Sequence, residues 1–144
     1  MNKTLSKTLS NTTQVVVRFS ECDALRMVWH GNYVKYFEDG REDFGKKFGL
    51  SYMDIFEKTG LAVPLVHIEC DFKRMVGIGE TILVQTTMVE DPAAKIIFEY
   101  TIFNDKKELV CKGKTIQVFL DIHKKELMIT LPPFFEDWKA KYFI

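Results

Sequence analysis

Residues 21–42 read ECDALRMVWHGNYVKYFEDGRE, setting a carboxylate, Asp23, and an imidazole, His30, in one loop, followed directly by Gly31, Asn32 and Tyr33. From Asn32 onward the spacing of apolar residues becomes helical, so this loop runs into a helix N-terminus. The unpaired N–H groups of a helix's first turn, with the positive end of its dipole, stabilise negative charge that develops on a carbonyl oxygen. A carboxylate beside them can attack that carbonyl or activate water. His30 is either a general base or a loop-orienting hydrogen-bonding group. Cys22 adjoins Asp23 and raises the question of a thiol nucleophile, against which stands the commoner role of a small buried cysteine.

The elements that must hold these groups follow from periodicity. Thr13 to Phe19 is rich in β-branched residues and predicts a strand leading into the loop. Tyr33, Phe37, Gly40, Phe44 and Phe48 fall on one face of a helix that Gly49 ends, and Gly40 within that stripe predicts close backbone contact with a sheet. SYMDIFEKTG predicts a short second helix with Ser51 as cap and Gly60 as stop. Four alternating runs then predict strands with one buried face: Val66, Ile68, Cys70 and Phe72; Ile82, Val84, Thr86 and Met88; Ile96, Phe98, Tyr100 and Ile102; and Ile116, Val118, Leu120 and Ile122. VGIGE, NDKKE and HKKE read as turns between strands, and LPPFFEDWKAKYFI as a helical tail. Such short turns favour antiparallel pairing, and the long helix must lie across the concave side of a curved sheet. The other face carries Leu83, Val89, Ile97, Phe103 and Phe119, which together with the sheet edges predicts self-association.

At 144 residues and 47% hydrophobic, the chain is long enough for one domain, 1–144, to bury its own core, with 1–12 expected as a frayed start. Twenty basic and twenty acidic residues cancel, so no global field points to nucleic acid or an anionic membrane. No segment reaches the ~20 apolar residues of a membrane span, and the polar N-terminus lacks the apolar run of a signal peptide, so a soluble cytoplasmic protein is expected. Cys22, Cys70 and Cys111 have neither disulfide-framework nor zinc-clip spacing, and His67 and His123 form no ligand pair, so no metal or cofactor is expected. Lys73, Arg74, Lys112 and Lys114 are the cations that a phosphate-bearing ligand could meet, or else part of a solvated face.

The segment RFSECDALRMVWHGNYVKYFEDGRE resembles the active-site region of hotdog-fold acyl-CoA thioesterases of the 4-hydroxybenzoyl-CoA thioesterase type. Arg18, Phe19, Cys22, Asp23, Met27, Val28, Trp29, His30, Asn32, Tyr33, Phe37, Glu38 and Arg41 are in register with that pattern. The resemblance implies an α+β hotdog fold, in which a curved antiparallel sheet of about five strands wraps around one long central helix. It also implies a homodimer or homotetramer that hydrolyses an acyl-CoA thioester without a metal. Asp23 would be the nucleophile or the general base, and the backbone around His30 and Gly31 the oxyanion hole. Arg26, Asn32 and Tyr33 are the candidate substrate-binding residues; Arg26 stands where the family usually has Gly. The alternatives are an acyl-carrier protein as the leaving thiol, a non-catalytic hotdog module that binds acyl thioesters or another apolar ligand, and a hotdog dehydratase or hydratase.

Overall fold

In the computed structural model, which describes residues 7–143, the chain forms β1 (Thr8–Val16), α1 (Tyr33–Phe48), α2 (Tyr52–Thr59), β2 (Leu61–Ala62), β3 (Leu65–Phe72), β4 (Thr81–Val89), β5 (Lys95–Asn104), β6 (Leu109–Val118), β7 (Leu120–Asp121), β8 (Glu126–Leu127) and α3 (Pro133–Tyr142). Five strands make one sheet in the order β1-β4-β5-β6-β3, antiparallel at every joint, and β2, β7 and β8 make a small second sheet. The alternation in β4 and β5 is realised in full. Ile82, Val84, Thr86 and Met88, and then Ile96, Phe98, Tyr100 and Ile102, are all buried toward α1. The helix ends at Gly49 and α2 at Gly60, both left-handed, as the spacing predicts. Ser51 stands at the N-cap of α2, although its side chain makes no cap hydrogen bond.

The contact between α1 and the sheet is aromatic and close. Tyr36, Phe37 and Phe44 are fully buried, Phe37 stacks on Tyr100 with ring centroids 4.4 Å apart, and Phe44 meets Phe98 edge to face at 5.1 Å. Two glycines allow this approach. A Cβ at Gly40 would collide with the Thr86 hydroxyl, and one at Gly113 with the ring of Phe37. The helical tail α3 closes the far end of α1: Trp138 stacks on Phe135 and donates its indole N–H to the Phe48 carbonyl at 2.7 Å.

Five expectations need correction. The first strand starts at Thr8, so residues 8–12 of the segment expected to fray are paired to β4, whereas Met1–Ser6 lie outside the described residues. Polar residues are stable there because they have partners: Asn11 and Thr13 both donate to the Asp43 carboxylate on α1, at 3.0 and 2.7 Å. The strand also stops at Val16, and Phe19 opens a 3₁₀ turn instead. In β6 the phase is opposite to the apolar pattern. Thr115 and Gln117 face the core, while Ile116 and Val118 are only half-buried. The neighbouring elements supply the reason, since Thr115 bonds the Tyr100 hydroxyl of β5 at 2.6 Å and Gln117 accepts from Tyr52 of α2 at 3.0 Å and donates to the Val63 carbonyl at 3.1 Å. Phe119 is fully buried against Phe134 and Phe135 rather than on the outer face. Finally, β3 buries neither face: Val66, Ile68 and Phe72 are all exposed on this edge strand.

Gly113→Ala should destabilise the protein by about 1–3 kcal/mol, because the methyl group must displace the Phe37 ring from a packed core. A chemical-denaturation midpoint equal to that of the parent would show that the Phe37–Tyr100 stack can yield without cost.

Candidate active site

Between β1 and α1 the chain folds into a short hairpin tied down at Glu21. The 3₁₀ turn Phe19–Glu21 brings the Glu21 carboxylate back to the Arg18 N–H at 2.8 Å, and the same oxygen, Oε1, accepts from the Tyr36 hydroxyl at 3.1 Å. The Glu21 carbonyl accepts from the Trp29 N–H at 3.0 Å and from the Asn32 side-chain amide at 2.7 Å. Residues 22–28 lie between these ties, with Cys22 bridged to Val28 and Asp23 N–H donating to the Met27 carbonyl at 2.8 Å. The chain reverses through Asp23–Arg26, closed by the Arg26 N–H on the Asp23 carbonyl at 2.9 Å, and Arg26 takes a left-handed φ of 65°.

This turn aims the carboxylate. Asp23 Oδ1 accepts from the N–H groups of Leu25 and Met27 at 2.8 and 3.4 Å, and Oδ2 takes no hydrogen bond from the described residues. One oxygen is therefore fixed and the other is available. After Trp29 a second 3₁₀ turn, His30–Asn32, feeds into α1. The His30 and Gly31 N–H groups reach no acceptor among the described residues, so the head of a sixteen-residue helix presents two free donors. The Trp29 indole covers Gly31 where any Cβ would lie, and its ring centroid is 4.8 Å from that of His30.

Asp23, His30 and Tyr33 meet at one cleft of about 750 Å³, which Phe72, Lys73 and Arg74 also line. Phe72 packs edge-on against both His30, at 6.4 Å, and Tyr33, at 5.2 Å. Burial, with the Cys111 and Cys70 thiols behind it, pushes the Tyr33 phenol up to about 12, so it stays a neutral donor, and its hydroxyl is unbonded among the described residues. The Cys22 thiol is also raised, by burial and then by the neighbouring carboxylates of Asp23 and Glu21, and it bonds the Arg18 carbonyl at 3.5 Å. A thiol held protonated in this way is a poor nucleophile.

Of the six candidate residues, then, three line the cleft. Gly31 lies at the helix head beneath Trp29, and Asn32 is buried in its bond to Glu21. Arg26 sits at the turn and does not line the cleft. Lys112 and Lys114 are elsewhere, in register with Asp71, Glu69 and Glu99 on the neighbouring strands. Glu21 and Phe72 are not among the residues the sequence predicts for the site. Glu21 had a signal, the three-residue spacing from Arg18 with which an acidic side chain returns to a cap N–H. The alternation of its strand predicts only a core position for Phe72.

Residues 17–139 match the thioesterase-like superfamily. The chain belongs to that superfamily. A Bacillus subtilis protein with the provisional name acyl-CoA thioesterase YneP is 32% identical over 131 residues, covering 90% of this chain and 92% of that protein. The solved structure of a DHNA-CoA thioesterase from Staphylococcus aureus superposes with a TM-score of 0.83 at 29% identity, over 93% of this chain and 89% of the other. The 4-hydroxybenzoyl-CoA thioesterase from Pseudomonas sp. strain CBS-3, at 20% identity and a TM-score of 0.79 over 91% of this chain and 97% of that one, shares the fold. The architecture of this superfamily member is the hotdog fold, with the sheet wrapped about α1.

In this thioesterase-like chain Arg26 is, with Lys107 and Lys125, one of three non-glycine residues held at positive φ among the described residues, a region that costs an L-residue roughly 1–2 kcal/mol. Arg26→Gly removes that cost and adds back about 0.5–1 kcal/mol of unfolded-chain entropy. The variant should be as stable as the parent or up to about 1.5 kcal/mol more stable by denaturant titration. A clearly lower midpoint would mean that the arginine side chain itself holds the turn.

Proposed function

We propose that the chain hydrolyses an acyl-CoA thioester to the free acid and coenzyme A. The observation that carries this reading is the placement of Asp23, with an unbonded Oδ2, at the same cleft as the helix head where the His30 and Gly31 N–H groups are free. A thioester carbonyl is already activated, so two contributions suffice. Donors aimed at the developing oxyanion lower the barrier, and a positioned carboxylate either adds to the carbonyl or takes a proton from the attacking water. Water supplies the hydroxyl of the acid, and its other proton leaves with the thiol. The names of the Bacillus subtilis and Staphylococcus aureus relatives support this reading. The neutral phenol of Tyr33 and the ring of Phe72 suit an acyl group with both a polar and an apolar side.

The active form in this reading is a homodimer or a homotetramer. Support comes from β3, an edge strand with unpaired backbone on its free side, on which Val66 and Phe72 are 57% and 52% exposed. Among the described residues no helix is long and apolar enough to cross a membrane. The free thiols of Cys22, Cys70 and Cys111 favour a reducing, cytoplasmic setting.

Asp23→Asn preserves the oxygen that accepts from Leu25 and Met27, so folding should be unaffected. Turnover on the best of a panel of acyl-CoAs should fall by about 10²–10⁴, the loss that follows removal of a positioned acid–base group. Thiol release by the variant at the parent's rate would remove Asp23 from the chemistry. Light scattering should give a mass of at least twice the 16.8 kDa chain; a monomer at micromolar concentration would overturn the assembly.

A further inference from the structure

Two of the three cysteines meet. The Cys70 and Cys111 sulfurs lie 3.3 Å apart, although the residues are 41 positions apart in the chain, because β3 and β6 are paired. Cys70 stands opposite Gly113, and Cys111 opposite Phe72. Residues opposite one another in an antiparallel pair share a face, and Gly113 lies against the Phe37 ring, so the Cys70 thiol is on the side of α1 and not on the free backbone edge of β3. Gly113 has no side chain to offer it, and the thiol contacts its diagonal neighbour Cys111. Cys22 takes no part, since its thiol bonds the Arg18 carbonyl.

The pair is asymmetric. Cys111 is fully buried and Cys70 half-buried, so a reagent from solvent reaches Cys70 first. Burial raises both thiols, but the contact with Cys111 works against the rise at Cys70, while the contact with Cys70 adds to it at Cys111. Cys70 therefore gives up its proton the more readily. The pair also adjoins the site: Phe72, opposite Cys111, packs on His30 and Tyr33, and both thiols stand behind the Tyr33 phenol. Since β3 is paired on one side only, it is the strand that yields when the two side chains are drawn together.

We propose that Cys70 and Cys111 are a site of reversible two-electron oxidation by hydrogen peroxide, and that closing their disulfide shifts Phe72 and lowers turnover at the cleft. The Cys70 sulfur attacks one peroxide oxygen, the O–O bond breaks, the second oxygen leaves as water with the Cys70 proton, and Cys70 becomes a sulfenic acid. The Cys111 sulfur then attacks the Cys70 sulfur, the S–O bond breaks, and the hydroxyl leaves as water with the Cys111 proton. Two thiols and one peroxide give one disulfide and two waters. Transient disulfides in reducing compartments are usually catalytic or redox-sensing. The effect on turnover rests on the thioesterase reading of the cleft; the bond itself does not.

The test exposes the full chain to hydrogen peroxide, alkylates the remaining thiols and maps the tryptic peptides. The expected product joins residues 59–73, which carry Cys70, to residues 108–112, which carry Cys111, and leaves Cys22 in residues 19–26. Amide exchange along residues 65–72 should slow in the oxidised protein. On the best acyl-CoA, kcat/KM should fall by about 10–10²-fold, the scale of loss when groups near the chemistry are displaced by ~1 Å, and dithiothreitol should restore both readouts. Cys70→Ser, with Cys111→Ala as a second variant, should keep the parent's turnover and lose the response to peroxide. Peptides that stay separate, or Cys22 joined to either cysteine, overturn the proposal. So does a mapped bond that leaves kcat/KM unchanged, and so does an inhibition that persists in Cys70→Ser or resists dithiothreitol. Should the parent hydrolyse no acyl-CoA, the thioesterase reading fails by itself: a mapped bond with slowed exchange along β3 sustains the redox site, and unchanged exchange overturns it.

Discussion

The geometry of the site depends on one residue that does not line the cleft. Glu21 joins four points through two oxygens: its carboxylate reaches the Arg18 N–H and the Tyr36 hydroxyl, and its carbonyl takes the Trp29 N–H and the Asn32 amide. Arg18 stands two residues beyond β1, Asn32 caps the N-terminus of α1, and Tyr36 lies in its first turn. Without these bonds the hairpin bearing Asp23 would be joined to the helix head only through the chain itself. The burial of Tyr36 makes the arrangement stiff, because an unpaired hydroxyl in a fully enclosed position would lose about 1–3 kcal/mol. The carboxylate at its end also raises the Tyr36 phenol, after burial, so the bond keeps its proton on the tyrosine.

The helix beneath this hairpin is held by a second set of polar contacts within an otherwise apolar interface. Arg41 donates to the Tyr100 hydroxyl at 2.9 Å, and Tyr100 bonds Thr115 in turn, which links α1 through β5 to β6. Arg41 is half-buried and only partly satisfied, since its Nε finds no acceptor among the described residues. The stacked Phe37–Tyr100 pair lies on Gly113 of the same strand, so the aromatic and polar contacts share one register. A shift of β6 by one residue would exchange Thr115 and Gln117 for Ile116 and Val118, remove the Gln117 acceptor from Tyr52 and leave the Tyr100 hydroxyl with Arg41 alone.

That register explains how far the fold was legible in the sequence. The helix stripe and the alternation of β4 and β5 were readable because burial there depends on hydrophobicity alone, and each of those segments has one apolar face against the core. Strand β6 was misread for the opposite reason. Its core face is polar, and the partners that make it acceptable, Tyr52 and Tyr100, are 65 and 15 residues away in sequence. β1 was shortened by the same blindness, since Asn11 and Thr13 look like loop residues until Asp43 is placed over them. The site was legible where it is local. Asp23, His30 and Tyr33 lie within eleven residues of one another, whereas Phe72, Lys73 and Lys106 join them only through sheet order.

The turn at Arg26 shows how the loop keeps an unfavourable backbone conformation. Three contacts surround it: Asp23 N–H to Met27 carbonyl, Ile78 N–H to Arg26 carbonyl, and Val28 N–H to Val76 carbonyl, at 2.8, 3.1 and 2.9 Å. The last two anchor the hairpin to the segment ahead of β4, where Gly77 lies so close that a Cβ would meet the Arg26 carbonyl at 3.2 Å. Relaxing Arg26 to negative φ would rotate that carbonyl away from Ile78 and release Met27, whose own N–H is one of the two that hold Asp23 Oδ1. Backbone strain of this kind persists only where several neighbours over-determine it. The direction of the Asp23 carboxylate is thus set by main-chain bonds on both sides of the turn, and it leaves Oδ2 directed by the backbone rather than by any side-chain partner.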